Sequence, residues 1–179
     1  MSHYILAIDP GRENLGWCLY DKSMNDFKFN IFNIGKPSHG VLTVEHVINR
    51  ICIFFDSLPY KPYKVIIERQ VQVNTQALEL MYALAMYVKL MNIPLCIFDP
   101  KLKFTLIDQT YDTRNKNHKK LSIRLARGLL SYKQQEELDI YDKKDDIADA
   151  INMCICESHD RDKHILHQIY DPIIESFDM

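Results

Sequence analysis

Glycine and proline are scarce in this chain, five and seven among 179 residues, which leaves little room for long flexible or extended linkers. No apolar run reaches the roughly 18–20 residues that a membrane-spanning helix needs, so no membrane segment is expected. The opening residues, MSHYILAIDPGR, lack the basic stretch, apolar stretch and small-residue cleavage site of a secretory leader, and no secretory signal is expected. The five cysteines, at 18, 52, 96, 154 and 156, are odd in number and mostly set in apolar segments. That argues against a disulfide framework and for reduced thiols in an intracellular compartment. Cys154 and Cys156 lack the two further ligands that a zinc site requires. Excess positive charge is also missing: the net charge is −2, which does not by itself announce a nucleic-acid binder.

What is present describes a folded domain. An apolar fraction of 47% is enough for a sizeable core, and the length fits a single domain over 1–179, with a core from about residue 4 to 155 and a polar, weakly patterned extension over 160–179. The charges are unevenly placed. Lys101, Lys103, Arg114, Lys116, Lys119, Lys120, Arg124, Arg127 and Lys133 face only Asp108 and Asp112 in the same stretch. Between Glu136 and Asp149 the balance reverses, with Asp and Glu at 136, 137, 139, 142, 145, 146 and 149 against Lys143 and Lys144. Cations for phosphates beside carboxylates for metal is what a metal-loaded nuclease needs, although a solvated helix face followed by an acidic loop has the same composition.

The pattern of the chain predicts an α/β fold. YILAID (4–9) is a short apolar run stopped by Pro-Gly, the mark of a buried strand. Residues 15–20 and 28–34 read as two further strands forming a meander with the first. Val44, Val47, Ile48, Ile51 and Phe55 lie at helical spacing within 40–58. YKVIIE (63–68) is a fourth strand, and Asn74 caps a helix through Met91 with Leu78, Met81, Tyr82 and Ala85 on one face. PLCIF (94–98) is the fifth strand, and helices follow after Asn117 and after Asp145. Right-handed crossovers place the fourth and fifth strands parallel to the first in one mixed five-stranded sheet flanked by helices.

In this frame Asp9 and Glu68 end two parallel strands, at the edge where α/β folds place ligands. Asp146 and Asp149 are three apart on a helix and share a face. Singly, each has an ordinary reading: a turn residue, an exposed strand end, or charges favoured by a helix N-terminus. Together they form a set that would repel unless a cation sat among them. Hard oxygen ligands favour Mg2+ or Mn2+. Two ions about 4 Å apart suit displacement at a phosphodiester, one activating water and the other stabilising the leaving oxygen.

These residues resemble a known family. ILAIDPGRENLGW is similar to the opening of RuvC-type Holliday junction resolvases, of the RNase H-like superfamily, with Gly16 entering the second strand. VIIERQ resembles their second acidic motif in the form used by the poxvirus and fungal mitochondrial branches. KKDDIADAIN is similar to the poxvirus C-terminal motif. The resemblance covers about residues 4–155. It implies an RNase H-like fold and a Mg2+-dependent endonuclease, with two ions per site and Mn2+ as a substitute. It further implies symmetric nicking of branched DNA by a homodimer, in a viral cytoplasmic replication site if the poxvirus likeness holds.

Position by position, the family's acids fall on Asp9, Glu68, Asp146 and Asp149, with Asp145 the competitor of Asp146. Its lysine falls on Lys120, in HKKLSI, with Lys103 as second choice. Arg69, Lys101, Lys103, Lys119 and Lys120 are the expected DNA contacts. An RNase H-fold nuclease with another nucleic-acid substrate, or a silent junction-binding domain, is the competing reading. An ATP-handling relative is disfavoured because DPGRENLG forms no compact phosphate cradle.

Overall fold

Successive residues of a strand face opposite sides of a sheet, and the first strand is apolar on both. In the computed structural model, which describes residues 3–11, 13–35, 43–102 and 118–176, β1 (Tyr4–Pro10) buries Ile5, Leu6, Ala7 and Ile8 and occupies the middle of the sheet. β2 (Asn14–Asp21) and β3 (Asp26–Asn33) continue from it as an antiparallel meander. β4 (Lys64–Glu68) pairs parallel with β1, and β5 (Leu95–Phe98) parallel with β4. The order is β3-β2-β1-β4-β5, a five-stranded mixed sheet, as the sequence pattern predicts.

Helices cover both faces. Leu6, Ile8, Leu19, Val65 and Ile67 meet α1 (Val44–Ser57) and α2 (Thr75–Leu90). Ile5, Ala7, Cys18 and Ile66 share the opposite core with α3 (His118–Leu129), α5 (Lys144–Ser158) and α6 (Lys163–Glu175), while α4 (Tyr132–Asp139) contributes Leu138. Asn74 caps α2 as expected, its side chain accepting from the Ala77 N–H. The five cysteines are free thiols. No helix among the described residues is long and apolar enough to cross a membrane.

Two apolar stripes differ from their predicted positions. On α1 the buried residues are Ile51 and Phe54, while Val44 and Ile48 are exposed, so the first turns carry apolar residues that the sheet does not cover. On α2 the buried set is Ala77, Leu80, Met81, Leu84 and Val88, and Tyr82 is exposed. This helix is apolar on most of its surface, so periodicity alone does not single out the inner face. The larger difference is at the C-terminus. The stretch read as a polar extension contains α6, which starts at an Asp162 cap and buries Leu166 and Tyr170 completely.

Candidate active site

Parity along the strands decides where the acids go. Asp9 follows Ile5 and Ala7 on the sheet face covered by α5, and Glu68 follows Ile66 on that same face. The parallel register sets Ile8 beside Ile67, so the next residues, Asp9 and Glu68, are neighbours at the carboxyl ends of their strands. α5 packs over this edge and brings the third acid. Carboxylate oxygens of Asp9, Glu68 and Asp149 all lie within 4.8 Å of one another.

The cluster is electrostatically strained without a cation. Burial, then the neighbouring carboxylates of Glu68, Asp149 and Asp146, push the Asp9 carboxyl well above its ordinary range. Burial and the adjacent Asp145 push Asp146 up to about 6. A divalent cation would relieve both, and an all-oxygen donor set suits a hard ion.

The first turn of α5 holds both competitors for the fourth position, and they differ in surroundings. Asp145 forms an ion pair with Lys119; burial raises its carboxyl, but Lys119, a backbone hydrogen bond and Lys143 together hold it below its ordinary value. Asp146 is on the side of β2, against Gly16, the register partner of Asp9. A Cβ at Gly16 would come 2.6 Å from the Asp146 carbonyl carbon, so α5 can seat at this distance only over glycine. Gly11 adjoins the same carboxylate, with Asp146 Oδ2 4.0 Å from where its Cβ would be. Asp146 therefore borders the cluster but is not among the three acids that converge within it.

The predicted cations are spread out. Lys119 is fixed on Asp145, whereas Lys120 is an exposed residue in the first turn of α3. Arg69 is exposed just beyond β4 and 3.7 Å from Asp99. Lys101 is exposed in the helical turn after β5. Lys103 lies outside the described residues.

Four residues not selected from the sequence complete the surroundings. Gln70 Nε2 is 3.4 Å from Asp9 Oδ1. Ser122 Oγ donates to Asp149 Oδ1. Asn152 Nδ2 donates to Ser122 O and Oγ, each at 3.0 Å, and Tyr170 OH donates to Asn152 Oδ1 at 3.0 Å. Asn152 did carry a signal: it is a lone amide in the apolar run AINMCIC, and a buried amide needs partners. Tyr170 carried none.

A mixed sheet in this order, with acids at the ends of β1 and β4 and on α5, defines the RuvC-like architecture. Two solved structures of RuvC from Thermus thermophilus are similar to this chain. One, in complex with a Holliday junction substrate, has TM-score 0.57 at 15% identity, covering 84% of this chain and 89% of that one. The other has TM-score 0.54 at 15% identity, covering 88% and 97%. No curated protein matches. The family model of the poxvirus A22 protein matches residues 3–158. The chain belongs to that family, the poxvirus Holliday junction resolvases.

Proposed function

We propose that this protein resolves four-way DNA junctions by metal-dependent hydrolysis of phosphodiesters, with Asp9, Glu68, Asp146 and Asp149 as the metal-binding and catalytic acids. The observation that carries this reading is the convergence of Asp9, Glu68 and Asp149 within 4.8 Å at the edge of a RuvC-like sheet. Three carboxylates this close, one of them raised well above its ordinary range, suit a cation better than a packing role.

Mg2+, with Mn2+ able to substitute, would supply an activated water and charge stabilisation at the phosphate and the leaving 3′-oxygen. The chain's own groups then have separate tasks. Asp9, Glu68 and Asp149 orient their oxygens, and Asp146 adds negative charge at the rim. Lys120 is the residue we assign to the developing charge on phosphate oxygens, while Lys119 pairs with Asp145 and steadies α3 against α5. Arg69, Lys101, Lys103 and Lys119 are the residues we assign to phosphate contacts.

Two symmetric cuts call for two sites related by a twofold axis, hence a homodimer. Tyr82, Met86 and Leu90, at helical spacing on α2 and 60%, 63% and 78% exposed, supply an apolar stripe for that contact. Free cysteines suit the reducing interior of a host cell, and membership of a viral family suits a cytoplasmic replication site.

The test is incubation of purified protein with a synthetic four-way junction, a linear duplex and an RNA–DNA hybrid, each with Mg2+ and with EDTA. Paired symmetric nicks on the junction alone, lost in EDTA, are expected. Equal cutting of the hybrid, or binding with no nicking, would overturn the assignment.

A further inference from the structure

We propose that Tyr170, Asn152 and Ser122 form a one-way hydrogen-bond chain that fixes the carboxylate of Asp149 for metal binding, making α6 a working part of the site. This rests on the reading that Asp149 is a metal ligand. The chain starts on α6, crosses α5 and reaches α3 before returning to α5: Tyr170 to Asn152, Asn152 to Ser122, Ser122 to Asp149. Tyr170, Asn152 and Ser122 are fully buried, so water does not compete for these bonds and each strengthens the next.

Its direction follows from one atom. The backbone carbonyl of Ser122 can only accept, and the Asn152 side chain meets it at 3.0 Å; the amide nitrogen must therefore face Ser122. The amide oxygen is left for Tyr170, and because that oxygen also only accepts, the phenol must donate. Asn152 gives its second contact to Ser122 Oγ at 3.0 Å. The serine hydroxyl already receives a proton there, so its single hydrogen is free for Asp149 Oδ1. Every donor points towards the acid, and one oxygen of Asp149 is committed to Ser122, which sets the rotation of the carboxylate.

Residues that orient a ligand in this way are positioning residues, and their loss weakens metal binding by about tenfold to a hundredfold. Tyr170 lies beyond the 3–158 span matched by the family model, so the start of the chain is supplied by a part of the protein outside it.

The test compares wild type with Tyr170→Phe, Ser122→Ala and the double variant. Mn2+ binding is measured by calorimetry on DNA-free protein, with thermal melts and junction binding in EDTA alongside. Ser122→Ala should weaken Mn2+ binding about tenfold and Tyr170→Phe by a smaller factor. The double variant should bind no more weakly than Ser122→Ala alone, because the two act in series. Junction binding in EDTA should not change. Mn2+ binding equal to wild type in Tyr170→Phe and Ser122→Ala, even with lowered melting temperatures, would reduce the chain to core packing and overturn the proposal. If Ser122→Ala does not fold, Tyr170→Phe, which keeps its ring volume, decides alone: unchanged affinity overturns it. Absence of Mn2+ binding in wild type would overturn the metal site and this inference together, and is thereby distinguished from failure of the chain alone.

Discussion

Gly16 sits directly against the backbone of Asp146: a Cβ at residue 16 would come 2.6 Å from its carbonyl carbon and 2.7 Å from its carbonyl oxygen. Backbone atoms at the start of a buried helix cannot step aside as a flexible side-chain end can. Gly16→Ala should therefore push the first turn of α5 off the sheet. Overpacking of this kind costs about 1–3 kcal/mol, so the expected result is a melting temperature lower by several degrees. Nicking should fall more steeply than junction binding, because the carboxylates move. Thermal melts and a nicking assay check both.

The two acids of the first turn of α5 should respond differently to the same change. Asp146→Asn is expected to weaken Mg2+ binding about tenfold, the range of groups that tune a metal site. Asp145→Asn should leave metal affinity close to wild type, since that carboxylate is engaged by Lys119. Calorimetric titration of both variants with Mn2+ distinguishes them, and the reverse order would reassign the fourth acid to Asp145.

Asp149→Asn removes charge from the cluster without adding bulk. It should abolish cutting while leaving junction binding in EDTA nearly intact. A variant that nicks at the wild-type rate would remove Asp149 from the site.

The raised carboxyls of Asp9 and Asp146 make the metal-free protein pH-sensitive. A carboxyl that titrates higher in the folded than in the unfolded chain binds its proton more tightly when folded. Its contribution to stability is complete below the unfolded value and is lost as pH rises through the folded one. For Asp146 that window runs from 3.8 to about 6, and for Asp9 it extends upwards from the same lower bound. Burial holds His159 below its ordinary range and gives the opposite slope, so the informative quantity is the difference between wild type and variant. In EDTA, Asp146→Asn should be more stable than wild type at pH 7.5, and the gap should close towards pH 4. Denaturant melts across that range measure it.

Tyr82, Met86 and Leu90 form the exposed stripe of α2. Met86→Glu places a charge in its middle and should shift sedimentation from dimer towards monomer, with little change in melting temperature of the dilute protein. Unchanged sedimentation would move the contact to another face.

Sequence pattern was sufficient for the sheet because a strand buried on both faces is legible as a short continuous apolar run, and Asp9 and Glu68 were legible as the residues that end two such runs. The inner faces of α1 and α2 were not. Val44 and Ile48 obey the helical period yet stay exposed, and α2 is apolar nearly all round, so the true face depends on what the sheet covers. Spacing favours Asp146 over Asp145 without deciding between them, since both reach the face of Asp149; what only the fold reveals is that Asp145 is ion-paired with Lys119, 26 residues away in sequence. Ser122, Asn152 and Tyr170 become a set only when three helices meet. Individually they are a serine in a basic helix, an amide in an apolar one, and a tyrosine in a stretch that looked polar.

The helix that carries Asp146 and Asp149 is also the most deeply buried among the described residues, with Ile147, Ala148, Ala150, Ile151, Met153 and Cys154 all inaccessible. The acids are therefore mounted on the keel of the domain and not on a moving part. A helix embedded this way opens only when the whole domain opens. On the proposed function, the carboxylates would then serve as a fixed anvil against which a DNA strand is brought.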